Sequence, residues 1–395
     1  MEFKEYTVEE LVELKMLEKP MDGNHGGKHP TSKDYVKKGI PFIMVSDINS
    51  GKINYNTCKY ISKSTRDSLD KGFSKPNDVL LSHKATIGLT AIVDTEFDEI
   101  VLTPQLTYYR VKDNINNMYL KYYFDSSYFQ NVLNSWARSG STRAYLGITA
   151  QLKLPILLPD MVTQNKIAKI LSDIDKKIEL NNQINNNLYE IMRLKFNEWI
   201  EGLEDYEISN LSSIANYKNG LAMQKYRPEN EIGLPVIKIK EMNSGISAET
   251  ERCKSNIDPE VIINNGDVLF AWSGTLCMTI WDSGKAGLNQ HIFKVTSDKY
   301  PKWFYYFWTL KHLDKFIQIA AGKATTMGHI KRGELDTSEV LIPSSEELNE
   351  MNQIMSPMLN KYIENKLENK NLEQLRDTLL PKLMNGEIDL DNIEI

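Results

Sequence analysis

Apolar positions follow two different rhythms along this chain. Short β-branched and aromatic runs, punctuated by Gly, Asn and Pro, predict strands at 42–45, 79–81 and 91–93, and again at 236–239, 268–271 and 278–281. Aromatic residues at helical spacing follow each set, at 118–136 and 300–319. Each set then reaches a Leu-Pro or Ile-Pro step, and a much longer helical pattern begins.

In the first long pattern Ile167, Leu171, Ile174, Ile178, Leu188, Ile191 and Trp199 trace a seam at three- and four-residue steps. At a constant offset of 184 the second has Met351, Met355, Met358, Tyr362, Leu372, Leu375 and Leu383. Asn181 and Asn185 interrupt the first seam, and Asn365 and Asn369 stand at the same offset in the second. Buried in the seam, such amides fix register at a cost in stability; just off it, they face solvent. Pro357 predicts a kink or a delayed start in the second helix. A helix over 163–200 is roughly 57 Å long at 1.5 Å per residue. Pairing is the simplest way to bury two matching seams. Chain order then favours an antiparallel pair.

The chain is written twice. Gly39-Ile40-Pro41-Phe42-Ile43 recurs as Gly233-Leu234-Pro235-Val236-Ile237, and Asn49-Ser50-Gly51 as Asn243-Ser244-Gly245. Asp78-Val79-Leu80 recurs as Asp267-Val268-Leu269, Gln105 aligns with Gln290, and Leu158-Pro159 with Ile342-Pro343. The offset drifts from 194 to 189, 185 and 184, as small loop deletions would produce. Upstream, Tyr6, Val8, Leu11 and Leu14 match Tyr206, Ile208, Leu211 and Ile214 at an offset of 200.

Composition sharpens the class. At 395 residues, 41% hydrophobic and 25% charged, the chain is globular and large enough for two or three domains. No apolar run approaches the length of a transmembrane span, and the charged start Met1-Glu2-Phe3-Lys4-Glu5 leads us to expect no signal peptide. Cys58, Cys253 and Cys277 are odd in number and far apart, which fits a reducing cytoplasm. The net charge of −6 argues mildly against nucleic acid, but residues 344–395 alone carry 5 basic and 11 acidic groups. Residues 1–162 (20 basic, 19 acidic) and 206–343 (16 and 15) are near neutral and can present local basic faces. Catalytic signatures are missing. There is no Asp/Asn-Pro-Pro-aromatic tetrapeptide, no cofactor loop, no P-loop at Gly26-Gly27-Lys28 and no zinc-ligand spacing.

The ordered motifs resemble the specificity (S) subunit of type I restriction–modification systems. They are Asp22-Gly23-Asn24-His25-Gly26 with His29-Pro30, the Gly-Ile-Pro-Phe-Ile step, and Gly266-Asp267-Val268-Leu269, whose first copy has Asn77 for Gly. Ser139-Gly140-Ser141-Thr142, the tract Gln164-Asn165-Lys166-Ile167-Ala168-Lys169-Ile170-Leu171, and Leu383-Met384-Asn385-Gly386-Glu387-Ile388 belong to the set. The second half departs, with Asn219-Gly220 in place of the His25 stretch. The resemblance implies a DNA-reading subunit without chemistry of its own. Each globule would read half of a bipartite site. The helices would set the gap and dock two methyltransferase subunits that modify adenine. S-adenosylmethionine, Mg and ATP are expected on partner subunits, including a nuclease/translocase for restriction, and none on this chain.

The expected fold is α+β: two homologous β-rich target-recognition globules and two long antiparallel helices forming a coiled-coil-like, pseudo-two-fold spacer. The expected boundaries are 1–160, 161–202, 203–344 and 345–395. Helix pairing is assigned to Ile167, Leu171, Ile174, Ile178, Asn181, Leu188, Met355, Met358, Tyr362, Asn365, Leu372 and Leu375. For DNA, the first choice is the loop carrying Arg138, Ser141, Thr142, Arg143 and Tyr145, with Lys323, Thr325 and Thr326 in the second copy. Arginine pairs with guanine edges, and hydroxyls reach bases or phosphate; as a plain turn the loop would carry only solvated charges. Further candidates are Ser82, His83, Lys84, Trp272 and Ser273 past matching strands, Gln105 and Gln290 for adenine, and Lys28 with His29. Tyr122, Tyr123, Trp136, Trp303, Tyr305 and Tyr306 read as core. The competing class is a coiled-coil adaptor with two interaction globules and no DNA role. A self-sufficient methyltransferase or nuclease is disfavoured by the missing motifs.

Overall fold

The structure is a computed structural model that describes residues 2–138, 144–230, 232–322 and 328–390. It divides into two compact units, one of Met1–Lys176 with Gln374–Ile395 (unit 1) and one of Lys177–Glu373 (unit 2).

In unit 1 the first strand, Lys4–Thr7, pairs antiparallel with Pro155–Leu158, the last strand before a long helix. Thr7 then starts the short helix Val8–Glu13 through a reciprocal cap with Glu10. An antiparallel four-stranded sheet runs in the order Thr86–Ile92, Val79–Lys84, Leu106–Tyr109, Met21–Asp22. A five-stranded sheet has the order Tyr35–Val36, Lys59–Ile61, Ile40–Ile43, Ile100–Leu102, Phe73–Ser74, with Phe42 paired parallel to Val101. The aromatic pattern forms two helices, Asn117–Asp125 and Ser127–Arg138. Ser126 separates them: it is extended, its hydroxyl donates to the Tyr123 carbonyl at 2.6 Å, and it accepts from Phe129 N. Tyr119, Tyr122, Phe124 and Phe129 pack beneath with Ile167, Leu171, Leu383 and Met384. Trp136 is 38% exposed and is not core.

Unit 2 repeats this topology. Tyr206–Asn210 pairs with Glu339–Pro343. One sheet orders Cys277–Ile280, Val268–Ala271, Ile292–Thr296, Asn216–Asn219. The other orders Arg252–Cys253, Leu234–Ile237, Ala286–Leu288, Ile262–Ile263, again with one parallel pair, Val236 to Gly287. The aromatic helix is unbroken here, Lys302–Gly322. It buries Trp303, Phe304, Phe307 and Trp308 with Phe196, Met192 and Met355.

Strand register corrects the repeat in two places. Leu158 pairs with Lys4, and its counterpart Ile342 pairs with Glu207, so the N-terminal offset is 203, not 200. Val8 and Leu11 correspond to the buried Leu211 and Ile214, while Leu14, Tyr206 and Ile208 are exposed. Apolar residues spaced by three look alike after a slip of three, which misled the linear alignment. The second correction concerns Gln105 and is described below. Elsewhere the substitution pattern holds: Asn77 and Gly266 both have positive φ, 72° and 86°. Asn is one of the few side chains that tolerates this region.

The long helices are Met161–Glu201 and Ser345–Met384. The second starts on time and continues through Pro357. Within unit 2 they run antiparallel. Asn181 Nδ2 donates to Asn369 Oδ1 (2.9 Å) and Glu368 Oε2 (2.8 Å), and Asn365 Nδ2 donates to Asn185 Oδ1 (3.0 Å). Asn185 Nδ2 donates to the Tyr362 carbonyl and Asn369 Nδ2 to that of Ile178. All four asparagines are buried, so the in-seam alternative is the one realised. Asn181–Asn369 and Asn365–Asn185 exchange under the 184 offset, as do Asn185–Tyr362 and Asn369–Ile178. Met355 is fully buried, and Ile178, Leu188, Met358, Tyr362 and Leu372 are half-buried. In unit 1 Ile174 is half-buried, and Leu375 is a correction: it is 47% exposed. The neighbouring Arg376 turns inward instead, donating to Asp175 Oδ1 at 2.9 Å, and Asp175 also accepts from the Tyr122 hydroxyl.

Candidate nucleic-acid interface

The sheets built on Val79–Lys84 in unit 1 and Val268–Ala271 in unit 2 end in the same backbone arrangement. In unit 1 the central strand closes on His83 and Lys84. His83 N donates to the Gln105 carbonyl (3.0 Å) on one side. On the other side Leu146 N donates to the His83 carbonyl (3.0 Å) and Ala85 N to that of Ala144 (3.1 Å). In unit 2 Trp272 N donates to the His291 carbonyl, Ile330 N to that of Trp272, and Gly274 N to that of Gly328. Lys84 bridges to Tyr145 and Ser273 to His329. Thus the segment leaving each candidate loop is tied to the tip of the central strand.

The edge strand completes the cluster. Asp22 pairs with Thr107, and Asn219 holds the same position against Phe293. Each is followed by a glycine for a stated reason: a Cβ on Gly23 would lie 1.9 Å from the Leu102 carbonyl oxygen, and one on Gly220 2.1 Å from that of Leu288. No other residue fits at either position.

The side chains gathered there differ between the units. In unit 1 His83 is fully buried, its Nδ1 3.0 Å from the Leu146 carbonyl oxygen and its ring 5.9 Å from that of Tyr145. Burial lowers its pKa to about 4, so it is neutral at pH 7, donating from Nδ1. Tyr145 is 46% exposed, with Lys84 Nζ 5.8 Å from its ring centre. Asp22 is buried beside His25 (2.6 Å) and Lys71. Burial opposes its ionisation, but the bonds from Lys71 and His25 outweigh this and lower its pKa. In unit 2 the position of His83 is taken by Trp272, whose indole N–H donates to Asn219 Oδ1 at 2.9 Å. Its ring is flanked by His291 (5.9 Å), Phe293 (5.7 Å) and His329 (6.3 Å). Half-exposed aromatic faces, that of Tyr145 beside the Lys84 ammonium, suit stacking on bases and sugars and contact with phosphate.

The sequence candidates distribute as follows. Lys84, Gln105 and Tyr145 meet in unit 1, and Trp272 and Gln290 in unit 2. Arg138 ends its helix exposed. Ser141, Thr142, Arg143, Lys323, Thr325 and Thr326 lie outside the described residues. Ser82 and His83 correct an expectation. Both are buried, and the Ser82 hydroxyl accepts from Leu89 N at 2.8 Å, so they hold the strand tip rather than face outward. Ser273 is likewise buried. Gln290 is not the counterpart of Gln105: the backbone bonds of each sheet make His291 the counterpart of Gln105, and Pro104 that of Gln290. Lys28 is exposed and paired with Asp70 at 2.6 Å; His29 is half-buried with its ring 5.5 Å from that of Phe42. Asp22, His25, Lys71, Asn219, His291 and His329 were not singled out as contacts, because only strand register brings them together. Among the described residues no group of three or more His, Cys, Asp or Glu is placed to hold a metal, and no helix is long and apolar enough to cross a membrane.

Comparisons with known proteins converge on one family. A family described as "Type I restriction modification DNA specificity domain" matches residues 2–190 and 203–376, one match per half. The type I restriction enzyme MjaIX specificity subunit of Methanocaldococcus jannaschii is 24% identical, over 93% of this chain and 91% of that protein. The HindI specificity subunit of Haemophilus influenzae is 21% identical, over 88% of this chain and 94% of that one. The crystal structure of a type I restriction–modification S subunit from M. genitalium aligns with a TM-score of 0.59 at 14% identity, covering 97% of this chain and 96% of the other.

Proposed function

The chain belongs to the type I restriction–modification DNA specificity family and serves sequence-specific DNA recognition; we propose that each unit reads one half of a bipartite duplex target. The observation that carries this reading is the repeated strand-tip cluster. One backbone framework presents Tyr145, Lys84 and His25 in unit 1, and Trp272, His291 and His329 in unit 2. An identical frame with different side chains is what two unlike half-sites require. Ser141, Thr142, Arg143, Lys323, Thr325 and Thr326 stay part of the proposal as candidates from the sequence.

On this reading the long helices set the gap between half-sites and dock two methyltransferase subunits. The chain itself performs no chemistry. Adenine methylation draws on S-adenosylmethionine held by those subunits, and restriction on a nuclease/translocase subunit using ATP and Mg. The near-neutral segments 1–162 and 206–343 fit a complex in which partners supply much of the grip on phosphate. The test is methyl transfer by the co-purified complex to a pool of randomised duplexes. A split motif with one fixed gap is expected among the methylated products; transfer without sequence preference would refute the proposal.

A further inference from the structure

Four consecutive residues at the strand tip of unit 1 differ sharply in freedom. Asp22, Gly23 and Asn24 are buried. Gly23 is pressed against the Leu102 carbonyl. Asn24 is held at both ends of its amide: Nδ2 donates to the Lys71 carbonyl at 2.5 Å, and Oδ1 accepts from Asp70 N at 3.0 Å. His25 alone emerges, its side chain 44% exposed, against 4% for Asp22. Asp22 is bonded by both Lys71 and His25 and stays ionised. An ionised carboxylate only accepts, so the 2.6 Å contact places the proton of His25 on Nε2. Nδ1 is then the free edge of the ring.

The sheet puts this ring at the reading end. Asp22 runs antiparallel to Leu106–Tyr109, which in turn pairs with Val79–Lys84. The chain after Asp22 therefore leaves at the end that carries Gln105, Lys84 and Tyr145. A ring locked by a buried carboxylate, on a backbone that cannot shift, is preorganised for recognition rather than for stability.

We infer that His25 reads a base edge in the half-site of unit 1, and that Asp22 is its positioning residue. With the proton on Nε2, Nδ1 is an acceptor, so its partner is an exocyclic amino group in the major groove, adenine N6 or cytosine N4. Unit 2 uses the same edge position differently. Asn219 orients Trp272 instead, and no histidine follows it. The two half-sites are accordingly read by different chemistry from one frame. The inference rests on the DNA-recognition reading above.

The experiment uses the complete chain in complex with its methyltransferase partner. Methyl transfer is measured on a panel of duplexes in which each position of each half-site is varied. His25→Ala should lose about tenfold discrimination at one position of the unit 1 half, an adenine or cytosine, and none in the other half. His25→Gln, which restores an acceptor, should recover part of it. Asp22→Asn should weaken discrimination at the same position, and the double variant should be no worse than His25→Ala. Unchanged discrimination in a folded His25→Ala complex would overturn the inference. So would a uniform loss across all sequences with a shallower salt dependence, which would mark a phosphate contact. An absence of any sequence preference in the unaltered complex would instead sink the underlying functional reading. If Asp22→Asn fails to fold, His25→Ala and His25→Gln alone still decide the question.

Discussion

Replacing His83 by phenylalanine should remove a specific acid sensitivity from unit 1. The ring is fully buried, and burial lowers its pKa from 6.5 to about 4, opposed by Asp22 and reinforced by His25 and Lys84. Below pH 6.5 the unfolded chain takes up a proton that the folded chain refuses until about pH 4. Stability is therefore lost as pH falls through this window. With these two pKa values the loss attributable to His83 is about 2 kcal/mol at pH 5 and approaches about 3 kcal/mol below pH 4. Phenylalanine keeps the ring. It strands no carbonyl either, because the Leu146 oxygen also accepts from Gln151 Nε2 at 2.9 Å. The assay is urea unfolding of wild type and His83→Phe at pH 7.5, 6.0 and 5.0. The variant should be close to wild type at pH 7.5 and relatively more stable by about 2 kcal/mol at pH 5. Asp22, whose pKa is lowered, loses its contribution only below the ordinary carboxylate range and leaves this window clean. Parallel pH profiles for the two proteins would refute the assignment of a buried, neutral His83.

At Asn77, with φ of 72°, substitution by Ala should cost about 1 kcal/mol and by Gly almost nothing, read as a difference in denaturation midpoint. Asn185→Leu strands the buried Asn365 amide and should cost about 1–3 kcal/mol, whereas Asn185→Leu with Asn365→Leu should regain most of it; thermal unfolding of the single and double variants decides. Lys84→Ala should weaken DNA binding by the partner complex for all sequences and reduce the salt slope by about one, measured by titration at several salt concentrations.

Much of this fold could be read from the chain because it is written twice. Periodicity located the strands and both long helices, and the constant 184 offset matched Asn181 and Asn185 with Asn365 and Asn369. Errors arose where a linear pattern repeats itself on a short scale. Val8, Leu11 and Leu14 look the same after a shift of three residues, and only pairing of Lys4 with Leu158 shows which match is real. Gln105 and Gln290 are identical letters one residue out of register, and the hydrogen bond to His83 N reveals the slip. The contents of the site were less legible. Ser82 and His83 look like exposed polar residues past a strand, but both are buried, Ser82 accepting from Leu89 N and His83 bonded to Leu146. His25 was visible only as part of a motif. Its exposure, and the buried Asp22 behind it, are tertiary facts. Ser126 splitting one aromatic helix and Arg376 displacing Leu375 are likewise decided by a cap and an ion pair that periodicity does not encode.

The central claim is that this chain directs adenine methylation to a split target. The most direct measurement is a genome-wide map of adenine methylation in cells expressing the methyltransferase partner, with and without this chain. One bipartite motif, with a fixed unread gap, should be methylated only when the chain is present. If no motif depends on the chain while the partner is expressed, recognition lies elsewhere and the account fails.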